Sequence, residues 1–184
     1  MNYRERNSDR RIAPALRILC LHDQNENANQ LRESLDTLGE RLYEKHAIDL
    51  VYVNSPLLTQ AASSIEDNPD RYWWEEDEEG KKFTGLDASL LLLRQGWQSM
   101  PFWGILGVGQ GAAMASFLPL LGDLNPEPAF SIFVHGLSLL EEEERLIDGF
   151  PCLHIIGTSE FWLRQDDMLD CAHLHSEGST YMIL

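Results

Sequence analysis

The sequence is poor in cysteine and in basic residues, and it has no long apolar run. Its three cysteines, Cys20, Cys152 and Cys171, have no CxxC spacing, so we expect neither a zinc site nor a disulfide framework, and we expect a reducing, cytoplasmic compartment. Apolar runs such as residues 90–93 are far shorter than the roughly 18–20 residues that a membrane span needs. With 14 Lys and Arg against 30 Asp and Glu, the net charge is −16. Such a surface repels phosphate backbones, so nucleic acid is excluded as an expected partner.

The length and apolar content indicate one domain. A chain of 184 residues with 43% hydrophobic residues can bury a sizeable core but has no room for a second full unit. The N-terminal residues MNYRERNSDRR are not followed by an apolar segment, so we expect no secretory signal there. We therefore expect a flexible lead-in over residues 1–15 and a single compact domain over residues 16–184.

Apolar strand-like runs alternate with helical patterns along most of the chain. The strand-like runs cover residues 17–22, 48–53, 102–107, 129–134 and 151–156. Helical patterns lie between and after them, at residues 31–46, 85–98, 110–121, 139–147 and 163–172. This alternation predicts an α/β fold with a doubly wound, mostly parallel sheet. Sites in such sheets form beyond the carboxyl ends of the strands, here the loops 22–27, 54–60, 107–111 and 157–163. Residues 57–84 show no sustained helical or strand period, so we expect them to form a long irregular excursion between two elements of the fold.

The segment Gly107-Val-Gly109-Gln-Gly111 lies between a strand and a helix and has the frame of a nucleophile elbow, G-x-S-x-G. Glycine occupies the position of the serine. The central residue of such a turn has a strained positive φ, and its neighbours must be small so that strand and helix can pass closely. Gly109 relieves this strain but supplies no hydroxyl, so no acyl-enzyme can form there.

The same turn also satisfies the dinucleotide fingerprint G-x-G-x-x-A through Gly107, Gly109 and Ala112. That fingerprint requires an acidic residue about 20 positions further on, at the end of the next strand. The next strand instead ends in Phe133-Val-His135-Gly136, without a carboxylate. A nucleotide-binding module using this turn is therefore the second alternative function.

Several segments together resemble the FSH-type serine hydrolases, a family that includes the ovarian-cancer-associated-gene-2-like α/β-hydrolases. The opening strand Arg17-Ile-Leu-Cys-Leu-His22 resembles the family's first strand and LHG-type oxyanion loop. The resemblance continues through Val53-Asn-Ser-Pro56, Arg71-Tyr-Trp-Trp74, Gly85-Leu86, Pro101-Phe-Trp-Gly-Ile-Leu-Gly107 and Cys152-Leu-His-Ile-Ile-Gly157. It spans about residues 16–180 and implies the α/β-hydrolase fold and serine-hydrolase chemistry.

The departures from this resemblance fall on the catalytic positions. The family has serine at the position of Gly109, aspartate at that of Glu160 and histidine at that of Ser179. A glycine of the oxyanion loop is replaced by Asp23. The resemblance implies that the backbone N–H groups of Asp23 and Gln110 form the oxyanion hole, and a carboxylate beside it would disfavour a developing oxyanion.

A few other side chains are candidates for the lining of a pocket: His22, Trp73, Trp74 and His175. We expect that His22 braces its loop and that the two tryptophans pack in the core or in a lid. Ser116, inside the helix after the elbow, is expected to be a packing residue. For His175 we favour a histidine at a strand end with a satisfied hydrogen bond, and the alternative is that it activates a water for ester hydrolysis.

From the sequence we expect a serine-hydrolase-like protein without an intact catalytic triad. Its role would be to bind a protein partner or a small acyl-type ligand, through a retained cleft or its acidic surface, with no cofactor and no metal. The first alternative is a weak or unconventional carboxylester hydrolase.

Overall fold

The computed structural model describes residues 16–59, 68–77, 82–136, 150–156 and, by their backbone, 179–183. The strands are β1 (Leu16–Leu21), β2 (Ile48–Val53), β3 (Leu57–Leu58), β4 (Arg71–Tyr72), β5 (Glu75–Glu76), β6 (Phe83–Thr84), β7 (Gly104–Val108), β8 (Ser131–Val134), β9 (Cys152–Ile156) and β10 (Ser179–Ile183). The helices are α1 (Ala28–Ser34), α2 (Asp36–His46), α3 (Leu86–Ser99) and α4 (Gln110–Leu120). The sequence patterns at 139–147 and 163–172 lie outside the described residues.

Six strands form one central sheet in the order β10-β9-β8-β7-β1-β2, and all neighbours are parallel. Five of these strands are the predicted ones, within two residues at either end. The sixth, β10, was not predicted. Parallel neighbours need crossover connections, which α1 and α2 supply between β1 and β2. The predicted doubly wound, mostly parallel α/β fold is therefore confirmed.

Alternating residues of β1 pack into two separate cores. Leu19 and Leu21 belong to a cluster with residues of α3 and α4, whereas Ile18 and Cys20 belong to a cluster with Leu31 of α1. Successive side chains of a strand point to opposite faces of the sheet, so these clusters lie on the two faces. Helices therefore cover both sides of the sheet. No helix among the described residues has both the length and the apolar character needed to cross a membrane.

The helical pattern at 31–46 forms two helices rather than the single predicted helix. The first begins where the Asn27 side chain accepts hydrogen bonds from the N–H groups of Asn29 and Gln30, at 3.0 and 3.2 Å. Leu35 then leaves helical geometry with φ −103° and ψ 8°, and α2 follows directly. The end of α2 at His46 agrees with the sequence, and Ala47 closes it in the left-handed conformation.

The excursion between β2 and α3 contains only two-residue strands in its described part. Strand β3 pairs antiparallel with β4, and β5 pairs antiparallel with β6. Trp73 and Trp74 lie between these pairs and belong to the core cluster on the α3–α4 face. The excursion therefore contributes to the core although it lacks long regular elements.

Candidate functional site

The elbow between β7 and α4 is the predicted sharp turn. Gly109 has φ +52° and ψ −115°, in a region that residues with a side chain rarely adopt. A Cβ at Gly107 would overlap the first turn of α4, and a Cβ at Gly111 would overlap backbone at the end of β1. The three glycines therefore let β1, β7 and α4 approach closely around one point at the carboxyl edge of the sheet.

The carboxylate of Asp23 fills the space that a side chain at position 109 would need. A Cβ added at Gly109 would overlap the Asp23 atoms Oδ1, Cγ and Oδ2. Asp23 comes from the loop after β1, the neighbour of β7 in the sheet. The position of the nucleophile is thus occupied by a carboxylate that belongs to a different loop.

Two backbone amides converge on this carboxylate. The N–H of Gln110, the first residue of α4, and the N–H of Gln24 each donate to Asp23 Oδ1 at 2.7 Å. Hydrogen bonds from N–H groups to a carboxylate are the charge-assisted kind, and the positive end of the α4 dipole adds to them. The amides that would bind an oxyanion are therefore already bound to an anion.

The two amides that meet at Asp23 Oδ1 differ in one member from the pair that the family resemblance implies for an oxyanion hole. That pair is the N–H groups of Asp23 and Gln110, and it stays a prediction, whereas the groups that donate to the Asp23 side chain are those of Gln24 and Gln110. The Asp23 backbone hydrogen-bonds the Glu26 carboxyl, which partly offsets the rise that burial causes in the pKa of Glu26. The carboxylate of Asp23 therefore occupies one of the two expected donors, the N–H of Gln110.

His22 is fully buried and braces the loop, as favoured from the sequence. Its Nε2 accepts the backbone N–H of Ser55 at 3.1 Å, so Nδ1 carries the proton and donates to the Asp23 carbonyl at 2.6 Å. Burial lowers the pKa of His22, and the ring is therefore held in its neutral form. With both nitrogens engaged, His22 does not line a pocket.

Trp73 and Trp74 are core residues rather than pocket-lining residues. Trp73 is fully buried, and its Nε1 donates to the His22 carbonyl at 2.8 Å. Trp74 is 6% exposed and packs edge-on against Phe83. Their large aromatic surface stabilises the excursion against the sheet.

The side chain of Gln110 joins the elbow to this tryptophan pair, a role that the sequence did not indicate. Its Oε1 accepts the Trp73 N–H at 2.6 Å, and its Nε2 donates to the Trp74 carbonyl at 2.8 Å. Gln110 therefore serves twice, with its backbone N–H on Asp23 and its side-chain amide on the excursion.

The structure does not bring Ser179 to the elbow. Ser179 begins β10 in register with Cys152, and through Ser131 it is level with Ile105 near the start of β7. Parallel strands share their carboxyl edge, so Ser179 lies at the opposite edge of the sheet from Gly109. This register does not support the assignment of Ser179 to the base position, because Ser179 is the first residue of a strand and not part of a loop at the carboxyl edge. Glu160 and His175 lie outside the described residues.

Two further sequence interpretations can be compared with the geometry. Ser116 is buried, and its Oγ donates to the Ala113 carbonyl at 2.7 Å, as expected of a packing residue.

A nucleotide would place its phosphate at the N-terminus of α4, where the Asp23 carboxylate lies. Among the described residues, no group of three His, Cys, Asp or Glu side chains is arranged to hold a metal ion.

The chain is similar to a known family and to known proteins over most of its length. The serine hydrolase (FSH1) family matches residues 12–183. Esterase OVCA2 of Danio rerio is 30% identical over 180 residues, with 80% of this chain and 78% of that protein covered. Esterase OVCA2 of Mus musculus is 28% identical over 173 residues, with 79% and 76% covered.

Solved structures show the same architecture at low sequence identity. Acyl-protein thioesterase 2 of Zea mays superimposes with a TM-score of 0.66 at 15% identity. The match covers 95% of this chain and 86% of the thioesterase chain. At this identity the likeness establishes the α/β-hydrolase fold alone.

Proposed function

Because the chain belongs to the FSH1 serine hydrolase family, we propose that it is a member without serine-hydrolase catalysis that acts by binding a protein partner. The observation that carries this proposal is the Asp23 carboxylate on the N–H of Gln110, where the family resemblance implies an oxyanion hole, next to a nucleophile position without a side chain. Acyl transfer needs both an activated nucleophile and donors for the oxyanion. At this elbow the nucleophile is missing, and the N–H group of Gln110 that would act as an oxyanion donor already binds the Asp23 carboxylate.

Ester hydrolysis is disfavoured by charge as well as by space. A tetrahedral intermediate would place its negative oxygen where Asp23 Oδ1 accepts the N–H groups of Gln24 and Gln110. Losing a single oxyanion donor costs about 10²–10³ in rate. The esterase names of the relatives favour carboxylester hydrolysis as the alternative, and it would require a route that avoids this hole.

The same geometry favours a protein partner over a small acyl-type ligand. The carbonyl group of an acyl ligand would compete with Asp23 for the same two N–H groups, whereas a protein partner can bind the outer surface. The net charge of −16 favours a partner with a basic surface. Glu75 and Glu76, exposed next to the buried Trp74, contribute acidic surface close to the elbow.

The proposal is tested with a fluorophosphonate probe and with p-nitrophenyl butyrate. We expect no labelling, since it needs an activated hydroxyl, and no turnover above the buffer rate, since the elbow has no nucleophile and the N–H of Gln110 is already bound to Asp23. Stoichiometric labelling at any residue, or turnover that follows the protein through purification, would refute the loss of catalysis. Native mass spectrometry of the protein from its own cells tests the proposed binding of a protein partner. A stoichiometric protein partner is expected, and a stoichiometric acyl ligand would contradict it.

A further inference from the structure

The sheet face that carries α1 and α2 is apolar well beyond the strands on which these helices pack. Helices α1 and α2 pack on β1 and β2, whereas α4 packs on β7 and β8 from the opposite face. Side chains of β7, β8 and β9 that point to the α1–α2 face lie in register as two apolar rows, Leu106–Ile132–Leu153 and Val108–Val134–Ile155. Phe130 adds to them, since a Cβ at Gly104 would overlap its ring.

Burial differs between the two faces of β8 and β9. On the α4 face the side chains are buried, and they are Ser131, Phe133, Cys152, His154 and Ile156. On the α1–α2 face they are half-buried, and they are Ile132, Val134, Leu153 and Ile155. Strands of parallel sheets are apolar throughout because helices normally cover both of their faces. These two strands therefore have the composition of covered strands, but one of their faces is accessible to solvent.

The size of this apolar area matches one α-helix. Three strands at a spacing of about 4.8 Å are about 10 Å wide, which is the diameter of a helix with its side chains. The four residue steps from Phe130 to Val134 span about 13 Å, the length of about nine helical residues. A helix in this position would lie beside α1 and would extend the core cluster in which Leu31 packs with Ile18 and Cys20.

The topology favours a helix from another molecule. Connections from β7 to β8, from β8 to β9 and from β9 to β10 all step in one direction across the sheet. Right-handed crossovers place such connections on one face, and α4 identifies it as the opposite face. Residues 1–15 contain four arginines and Pro14, and their large apolar residues, Met1, Tyr3 and Ile12, do not recur at helical spacing. That segment therefore has no apolar stripe to offer.

We propose that the β7–β9 face, formed by Val108, Phe130, Ile132, Val134, Leu153 and Ile155, binds an amphipathic helix of a partner protein. This inference rests on the proposed function, because it names the surface and the chemistry by which a partner is recognised. The apolar stripe of the helix packs on the face, as in other helix-in-groove complexes. The net charge of −16 favours lysine and arginine on the outer side of that helix and opposes pairing with a second copy of this chain.

The probe is a peptide of leucine and lysine, about 15 residues long, with its leucines at helical spacing. An isomer of the same composition, with its leucines distributed around the helix, is the control for charge. By fluorescence anisotropy in about 0.15 M salt we expect a dissociation constant on the order of 10 µM for the amphipathic peptide and at least about tenfold weaker binding of the isomer. Its backbone amide shifts should centre on residues 132–134 and 153–155. Equal affinities, or shifts centred elsewhere, would overturn the inference.

A pair of double variants with the same change of charge tests the face itself. Ile132→Lys with Leu153→Lys alters the face, whereas Leu58→Lys with Leu91→Lys alters leucines that are 49% and 54% exposed elsewhere. We expect the first pair to weaken binding of the amphipathic peptide at least about tenfold and the second to stay within about twofold. Both should keep their thermal midpoints within about 10 °C of the wild type. A larger fall for the first pair alone would mean that the chain itself covers this face.

Native mass spectrometry separates the remaining occupants. Purified wild-type protein is expected to be a monomer, and a dimer that the Ile132→Lys, Leu153→Lys variant abolishes would assign the face to a second copy instead. In protein from its own cells, the partner should be lost from this variant and retained by the Leu58→Lys, Leu91→Lys control. A partner that the face variant retains would contradict this inference and leave the proposed function intact, so the two failures are distinguishable.

Discussion

The side chain of Asp23 and the missing side chain at position 109 share one space. A serine at 109 would overlap the Asp23 carboxylate, and Asp23 lies at the N-terminus of α4 only because 109 is glycine. The carboxylate in turn acts as a helix cap from another loop, since Gly109 itself has no side chain to cap α4. The two positions therefore have to be changed together if the elbow is to be restored.

Gly109→Ser alone should lower the free energy of unfolding by more than a positive φ explains. A side chain at a positive φ costs about 1–2 kcal/mol, and forced overlap in a packed site adds about 1–3 kcal/mol. Asp23→Gly removes the overlap, so we expect a double-mutant cycle to give a favourable coupling of about 1–3 kcal/mol. Urea unfolding of the two single variants and the double variant measures it.

The matched control for this cycle is Gly122→Ser. Gly122 also has a positive φ, +67°, but nothing lies within 4 Å of the place of its Cβ. It therefore measures the cost of a side chain at a positive φ without the overlap. If Gly109→Ser destabilises no more than Gly122→Ser, the Asp23 carboxylate does not occupy the space assigned to it.

Among the elements, the excursion around Trp73 and Trp74 is attached to the elbow by one side chain. Gln110 accepts from one tryptophan backbone and donates to the other, while Ser89 of α3 donates to the Trp73 carbonyl. The order of the excursion thus depends on hydrogen bonds from two helices. The segment has only two-residue strands of its own, so its stability depends on the aromatic core and on hydrogen bonds to its neighbours, which include these and the backbone bonds of Arg71 to Asn25 and Glu26.

Gln110→Ala should loosen the excursion without unwinding α4. It leaves the Trp73 N–H and the Trp74 carbonyl without their partner, which costs about 1–3 kcal/mol for a buried group. We expect faster hydrogen exchange of amides in residues 71–77 and little change in β7. The control is Gln98→Ala, an exposed glutamine of α3, which should stay within about 0.5 kcal/mol of the wild type. Equal exchange in the two variants would contradict the role given to Gln110.

The elements that the sequence predicts well are those set by local pattern. Apolar runs place β1 and β2 because a strand buried on both faces needs nearly every residue to be apolar. The strand β10 was missed, although Thr180, Tyr181 and Ile183 are residues that favour strands. A carboxylate at Asp23 beside the elbow was expected, but its hydrogen bond with the N–H of Gln110 was not, because that contact joins residues 87 positions apart.

For the molecule as a whole, the order of the sheet decides which residues can meet at the elbow. The loops after β1 and β7 lie side by side because these strands are neighbours, and this brings Asp23 to Gly109. Ser179 lies in β10, three strands away from β7. In register it is level with Ile105, which comes four residues before Gly109. With strands about 4.8 Å apart and about 3.3 Å per residue, it lies about 20 Å from Gly109.

Adding Ser179→His to the Asp23→Gly, Gly109→Ser double variant should therefore restore no esterase activity. A general base must reach within hydrogen-bond distance of the serine hydroxyl, and a histidine side chain cannot span about 20 Å. We expect turnover of p-nitrophenyl butyrate to change by less than about twofold, whereas a base in place contributes about 10²–10⁴. Ser179→Gln in the same background controls for the size of the side chain. The contrary result would be a gain in turnover near 10², with a rate that rises with pH through about 6.5 as an imidazole loses its proton. It would mean that β10 does not pair with β9 in the register described.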